Sequence, residues 1–167
     1  MAQQTMTEKD MYAAAFDQEH QISKKILAAY PPTKGDLKPS EKSKPANQIA
    51  WMLVLTTMIP GPVIEMKELK PGGLPDVPEK WDEILKTFET SFQETKRKID
   101  RLTDADLNTT IRMPVGYKQM GDVRRGTALW MFLHDAIHHR GQLSVYLRMA
   151  GGKVPSIYGP SGDEPWY

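Results

Sequence analysis

The stretch Leu133-His134-Asp135-Ala136-Ile137-His138-His139-Arg140-Gly141-Gln142-Leu143, continued by Tyr146-Leu147-Arg148, decides how this chain is read. It has no Pro, and Gly151-Gly152 marks its end, so the spacing predicts the core of a long helix. Three of the chain's four histidines fall inside six residues of it. On a helix, residues four apart stack on one face. That pairs His134 with His138 and Asp135 with His139. Either pair could offer imidazole nitrogen or carboxylate oxygen to a divalent metal.

At about 100° per residue, Asp135, His139, Gln142 and Tyr146 lie within about 60° of one another. Arg140, Ser144 and Arg148 point roughly the other way, and long cations prefer water or a polar surface. Asp135 and His139 are therefore expected to face the bundle interior. His134 lies nearer the arginine side and His138 sits between. Trp130, Leu133 and Ile137 form a second apolar stripe, which suggests burial on two sides, by the bundle and by a second subunit.

A lone buried histidine is usually a hydrogen-bonded core residue. Three histidines and an aspartate in one short window point instead to a metal or catalytic site. The zinc-protease pattern His-Glu-x-x-His is a distant relative of this window. The acid here is the shorter Asp135, however, and no histidine follows His139.

Working outward, three more helical segments stand out. The first opens at Thr7 with Asp10 three residues on, a short capping box, and runs to about Ala29 before Tyr30-Pro31-Pro32. Residues 33–44 have no apolar period and read as a loop. The second helix begins at Pro45, suited to a first turn, with Ile49, Met52, Leu53 and Thr56 on one face. Pro60 and Pro62 break it, and Val63 to Leu69 resumes as a separate piece. The third spans Pro78 to Leu102, with Trp81, Ile84, Leu85, Phe88, Phe92, Ile99 and Leu102 at helical spacing. Asn108 to Lys118 reads as an extended connection or short hairpin. Asp122 is the expected N-cap of the last helix, which ends at Ala150. Residues 153–167, broken by Pro155, Pro160 and Pro165, form an irregular tail. The expectation is one all-α domain over residues 1–167: a four-helix bundle with a long first crossover loop.

Composition narrows the function. With 22 Lys and Arg against 21 Asp and Glu, there is no electrostatic footprint for nucleic acid. Lys96-Arg97-Lys98 with Arg101 reads as the solvated side of a helix. The absence of cysteine excludes disulfides, thiolate zinc sites and protein thiol nucleophiles. Gln3, Gln4, Glu8 and Asp10 at the start do not make a signal peptide. The apolar run from Ile49 to Ile59 is too short and threonine-interrupted to span a bilayer. A cytoplasmic protein is expected, with no membrane and no nucleic-acid partner.

The string from Leu133 to Leu143, with Tyr146-Leu147-Arg148 and Gly151, resembles the last-helix signature of the DinB (DNA-damage-inducible B) family, whose fold is also called YfiT-like. The tail Val154 to Ser161 and the Lys38-Pro39 loop before the second helix are similar too, so the resemblance covers nearly the whole chain. It implies an up-down-down-up four-helix bundle, often dimeric. It also implies a divalent metal (nickel, zinc or manganese) held by one histidine of the second helix and an i, i+4 pair of the last. Transferred to this chain, the pair becomes Asp135 and His139. The helix-two position holds Met52, a thioether poorly suited to a borderline divalent ion beside a carboxylate.

Two functions follow from the resemblance. One is a divalent-metal-dependent thiol S-transferase or hydrolase-like enzyme with a degenerate metal site. In it Asp135 and His139 hold the metal, Met52, Gln142 and Tyr146 line the pocket, and His138 serves as acid or base; a low-molecular-weight thiol is the co-substrate. The alternative is a non-catalytic, stress-associated homodimeric bundle that binds a small apolar ligand between helices.

Overall fold

The computed structural model describes residues 6–167. Gln3 and Gln4 lie outside the described residues. Four helices form the bundle: α1 (Glu8–Ala29), α2 (Ala46–Met58) extended by α3 (Pro60–Glu65), α4 (Trp81–Ile99), and the last. Between α4 and the last helix come a single turn, α5 (Asp104–Leu107), and an antiparallel hairpin of β1 (Thr110–Gly116) and β2 (Gln119–Arg124). The last helix is α6 (Arg125–Met149). The expected four-helix bundle holds, with a small hairpin added.

Local chemistry sets most of the boundaries. Thr7 caps α1 by accepting from the Asp10 N–H at 3.2 Å, and Asp10 returns the bond, a complete capping box. The stripe of α4 buries Trp81, Ile84, Phe88, Phe92 and Ile99, and its helix starts three residues after Pro78. α6 closes with a Schellman motif. Gly151 sits at φ +81°, its N–H donates to Arg148 O at 3.1 Å, and the Gly152 N–H donates to Leu147 O at 3.0 Å.

Three expectations are corrected. Pro45 is the residue before α2 rather than its first. Pro60 and Pro62 do not break the helical path: Pro60 opens α3 at the position where a missing N–H costs nothing, and Ile59 keeps helical angles. The helical piece then ends at Glu65, and Leu69 N–H donates to Arg112 O at 2.8 Å in an extended run beside β1. Finally, Asp122 is a strand residue opposite Arg112, not an N-cap. Pairing with β1 occupies the chain as far as Arg124, so α6 starts at Arg125 without a side-chain cap.

Two apolar clusters define the helix directions. One unites the end of α1 (Ile26, Leu27), α2, the start of α4 (Trp81, Ile84) and the end of α6 (Leu143, Leu147). The other unites the start of α1 (Tyr12, Phe16), Val63 of α3, the end of α4 (Phe92, Ile99), β1 and the start of α6 (Leu129, Leu133). So α1 and α6 run one way and α2 and α4 the other, an up-down-down-up order. The Ala46–Glu65 segment is long and apolar enough by composition to span a membrane, but 61% of that window is buried inside the bundle. It is a core element.

Between the clusters lies a buried polar layer: Glu19, His20, Ser23, Thr56, Thr57, Ser91 and Arg140. Buried polar groups need partners, and most of these have them, His20 Nδ1 being the exception among the described residues. The Thr57 and Ser91 hydroxyls are 2.5 Å apart. Arg140 pairs with Glu19, and Tyr158 of the tail donates to the same carboxylate at 2.7 Å while lying 2.5 Å from Arg140 Nη2. The tail is thereby anchored, and again by Arg148 to Asp163 at 2.5 Å.

Candidate functional site

α6 carries every histidine except His20. Its inward positions are Leu133, Ala136, Arg140, Leu143 and Leu147, spaced three and four apart. That corrects the expected orientation. The interior face is centred about a quarter turn from Asp135 and His139, so the pair sits at the rim: Asp135's side chain is 49% exposed and His139's 16%. Arg140, expected to point outward, is buried, because Glu19 and Tyr158 give its guanidinium ionic and hydrogen-bonding partners in the interior.

The i, i+4 pairing itself is present. Asp135 Oδ1 lies 3.3 Å from His139 Nε2, and His139 Nδ1 lies 2.9 Å from Gln142 Oε1. Its hydrogen bond to the Asp135 carboxylate raises the His139 pKa above its ordinary value against the effect of burial. In turn, His139 lowers the Asp135 carboxyl. Both ring nitrogens of His139 are thus committed within its own helix. His138 is exposed, its ring edge-on to His139 with centroids 5.1 Å apart, and His134 is exposed as well.

The expected pocket residues are elsewhere. Tyr146 is buried in the α2–α6 cluster, with its hydroxyl donating to Lys44 O at 2.9 Å. Met52 is half-buried against the same cluster. Gln142 is the partner of His139. His20, the histidine outside α6, is enclosed between Phe88 and Phe92, with ring centroids 4.5 and 3.5 Å away. Among the described residues no three His, Asp or Glu side chains converge where they could hold a metal ion. The donor set explains why: the structure supplies one imidazole, already bonded twice, one carboxylate bonded to it, and a thioether at Met52. Those residues do not fit a tightly held divalent ion, which takes three or four protein donors.

Asp135 does border a cavity, which sequence reasoning missed. About 430 Å³ in volume, it lies between Ile59 at the α2–α3 junction, the extended segment with Leu69 and Leu74, Met113 and Pro114 of β1, and Phe132 of α6. Its wall is predominantly apolar; Asp135 and Lys70 are its charged side chains. The volume is in the range of small-molecule pockets. The one sequence signal was the alternation in residues 108–118, which placed an extended segment here without showing what it faced.

Comparison with known proteins places the chain among relatives of one kind. A family model described as "DinB family" matches residues 1–165. A DinB-like protein from Bacillus cereus is 22% identical with a TM-score of 0.70, covering 88% of this chain and 95% of that one. A DinB-like protein from Bacillus subtilis is 17% identical with a TM-score of 0.71, covering 94% and 99%. YfiT from Bacillus subtilis, described as a probable metal-dependent hydrolase with an unusual four-helix bundle topology, is 12% identical with a TM-score of 0.70, covering 92% and 94%. The uncharacterized protein YrdA of Bacillus subtilis is 46% identical over 39 residues, which is 23% of either chain.

Proposed function

The chain belongs to the DinB family, and from that premise we propose that it binds a small, mainly apolar molecule in the cavity beside Asp135 without relying on a resident metal. The observation that carries this reading is the position of Asp135: its carboxylate stands at the edge of a cavity walled by Ile59, Leu69, Leu74, Met113 and Phe132. Such a site removes an apolar body from water, at roughly 25 cal/mol per Å² buried, and offers one acidic group to orient a donor on the ligand.

Metal-dependent thiol transfer, or hydrolysis of the kind for which YfiT is described as a probable metal-dependent hydrolase, finds less support in these residues. A metal acts by lowering the pKa of bound water or thiol, and to do so it must first be held. Here Asp135 and His139 satisfy each other, and Gln142 takes the remaining ring nitrogen. The same commitment leaves His139 no free nitrogen for general acid–base work. The proposal extends to a cytoplasmic homodimer. Its support is the pair of exposed apolar side chains Val145 and Met149 near the end of α6, on the side away from the bundle interior.

Titration of the full-length protein with the apolar fluorophore 8-anilinonaphthalene-1-sulfonate tests the reading. Saturable binding is expected, weakened by Leu74→Ser and Phe132→Ser and untouched by His138→Ala. Binding that is unsaturable, or indifferent to both cavity substitutions, contradicts it.

A further inference from the structure

A second cavity lies on the opposite side of the hairpin and has a different chemistry. Successive strand residues face opposite ways, so Met113 borders the apolar cavity while Arg112 borders this one. It has a volume of about 760 Å³ and opens between the end of α3, the end of α4 and β1. Five cations surround it: Lys67, Lys98, Arg101, Arg112 and Arg125. Three carboxylates share the wall, and each is already occupied. Glu65 takes Lys98 Nζ at 2.8 Å, Asp122 lies 3.8 Å from Arg112, and Asp106 caps α5 by accepting from Thr103 N–H at 2.9 Å and its hydroxyl at 2.7 Å. Lys67 and Arg101 make no ion pair among the described residues.

Arg125 supplies the second, independent observation. It is buried at 7% exposure, yet none of its hydrogen bonds goes to a carboxylate. Nε donates to Thr109 Oγ1 at 2.9 Å, Nη1 to Val63 O and to Met66 O at 3.1 Å, and Nη2 to Thr110 O at 3.3 Å. Four of the five guanidinium donors are thereby used. The carbonyls at the end of α3 offset part of its charge through the helix dipole. Asp106 on the same wall is near enough for Arg125 to help lower its carboxyl pKa, but no carboxylate is bonded to the buried guanidinium, and an anion in the adjoining cavity would offset its charge further.

We propose that this cavity is a binding site for a small oxyanionic molecule, one that carries a phosphoryl group or several carboxylates, with Arg101 and Lys67 at its mouth and Arg125 in its wall. Arginine suits both groups, because its planar fork meets two oxygens at once. The basic run at the end of α4 thus forms a cavity wall as well as a solvated helix face. This site is separate from the apolar cavity and stands or falls independently of it.

The test is an amide chemical-shift titration of the full chain with inorganic pyrophosphate and, separately, citrate, at ionic strength held constant with sodium chloride. Saturable shifts are expected at Lys67, Thr110 and Arg112 with at least one of the two, and the one that saturates identifies phosphoryl or carboxylate as the recognised group. The Lys67→Ser/Arg101→Ser double variant, which alters only exposed side chains, is expected to bind about tenfold more weakly or worse, as the loss of charge-assisted hydrogen bonds implies. Leu74→Ser, in the other cavity, is expected to bind as the unaltered chain does. No saturation with either anion, or equal binding by the double variant, overturns the proposal.

Discussion

Asp135 and His139 hold each other across one turn of α6, Oδ1 to Nε2 at 3.3 Å. The His139 pKa is raised by this contact and the Asp135 pKa lowered. The linkage has two limits. His139 gives its stabilisation fully below the unfolded value of about 6.5 and loses it as pH rises through the folded value. Asp135 gives its share above the ordinary carboxylate value and loses it as pH falls through the folded one. The pair therefore stabilises in the window between, by at most about 1 kcal/mol because it is half exposed. In an NMR titration, His139 is expected to titrate above the ordinary histidine value, and Asp135→Asn to bring it back down. An unchanged His139 titration in that variant would show that the contact does not control it.

The Glu19–Arg140 pair sits in the polar layer with its side chains 10% and 2% exposed. Removing one member leaves the other's charge buried alone. Arg140→Ala is expected to cost about 3–5 kcal/mol in urea denaturation. Replacing both, as Glu19→Leu/Arg140→Met, is expected to recover much of that loss. Tyr158→Phe removes a hydroxyl bonded to both members and is expected to cost about 1 kcal/mol. A loss under 1 kcal/mol for Arg140→Ala would place this pair in solvent.

His20 shows the opposite pH behaviour from His139. Its ring is enclosed by Phe88 and Phe92, Nε2 lies 3.3 Å from Glu89, and Nδ1 has no partner among the described residues. Burial lowers its pKa, outweighing the Glu89 carboxylate; that carboxylate is itself held at about 2 by Lys24 and then Gln93, and stays ionised. Lys24 opposes protonation of the ring and Asp17 favours it. As pH falls below about 6.5, the unfolded chain binds this proton before the folded one, so stability falls until the folded pKa is passed. Urea denaturation between pH 7.5 and 5.5 should show a smaller loss for His20→Phe than for the unaltered chain. Equal losses would remove His20 from the account.

Gly151 ends α6 in the left-handed region at φ +81°. An L side chain there is strained by about 1–2 kcal/mol, so Gly151→Ala is expected to lower the thermal midpoint. The neighbouring Gly152 is tight for a different reason: an added Cβ would come 2.2 Å from Leu147 Cδ1. Calorimetry of Gly151→Ala and Gly152→Ala, both expected to melt lower, checks the two positions, and an unchanged midpoint for Gly151→Ala would contradict the Schellman assignment.

Much of the fold was legible because its signals are local. Thr7 with Asp10, the Trp81-to-Ile99 stripe and Gly151 each announce a boundary or face within a few residues. What was misread depended on distant chain. Asp122 has the composition of an N-cap, but its segment is claimed by β1, which pairs residue 112 with it. Arg140 reads as a surface cation until Glu19, 121 positions away, and the Tyr158 hydroxyl from the tail are seen to meet it. At the site, i, i+4 spacing correctly brought Asp135 to His139. Which side of α6 faced inward was set by Leu133, Ala136, Leu143 and Leu147, on a helix apolar around much of its circumference. The cavity beside Asp135 was invisible because residues 59, 69, 74 and 113 converge only through tertiary packing.

The most direct test of metal-independent ligand binding is a calorimetric titration of Zn²⁺, Ni²⁺ and Mn²⁺ into chelator-stripped, tag-free protein, followed by the apolar fluorophore. The account predicts no one-to-one metal binding and fluorophore affinity equal with and without metal. One-to-one metal binding that His139→Ala abolishes, with fluorophore affinity dependent on it, would contradict the account.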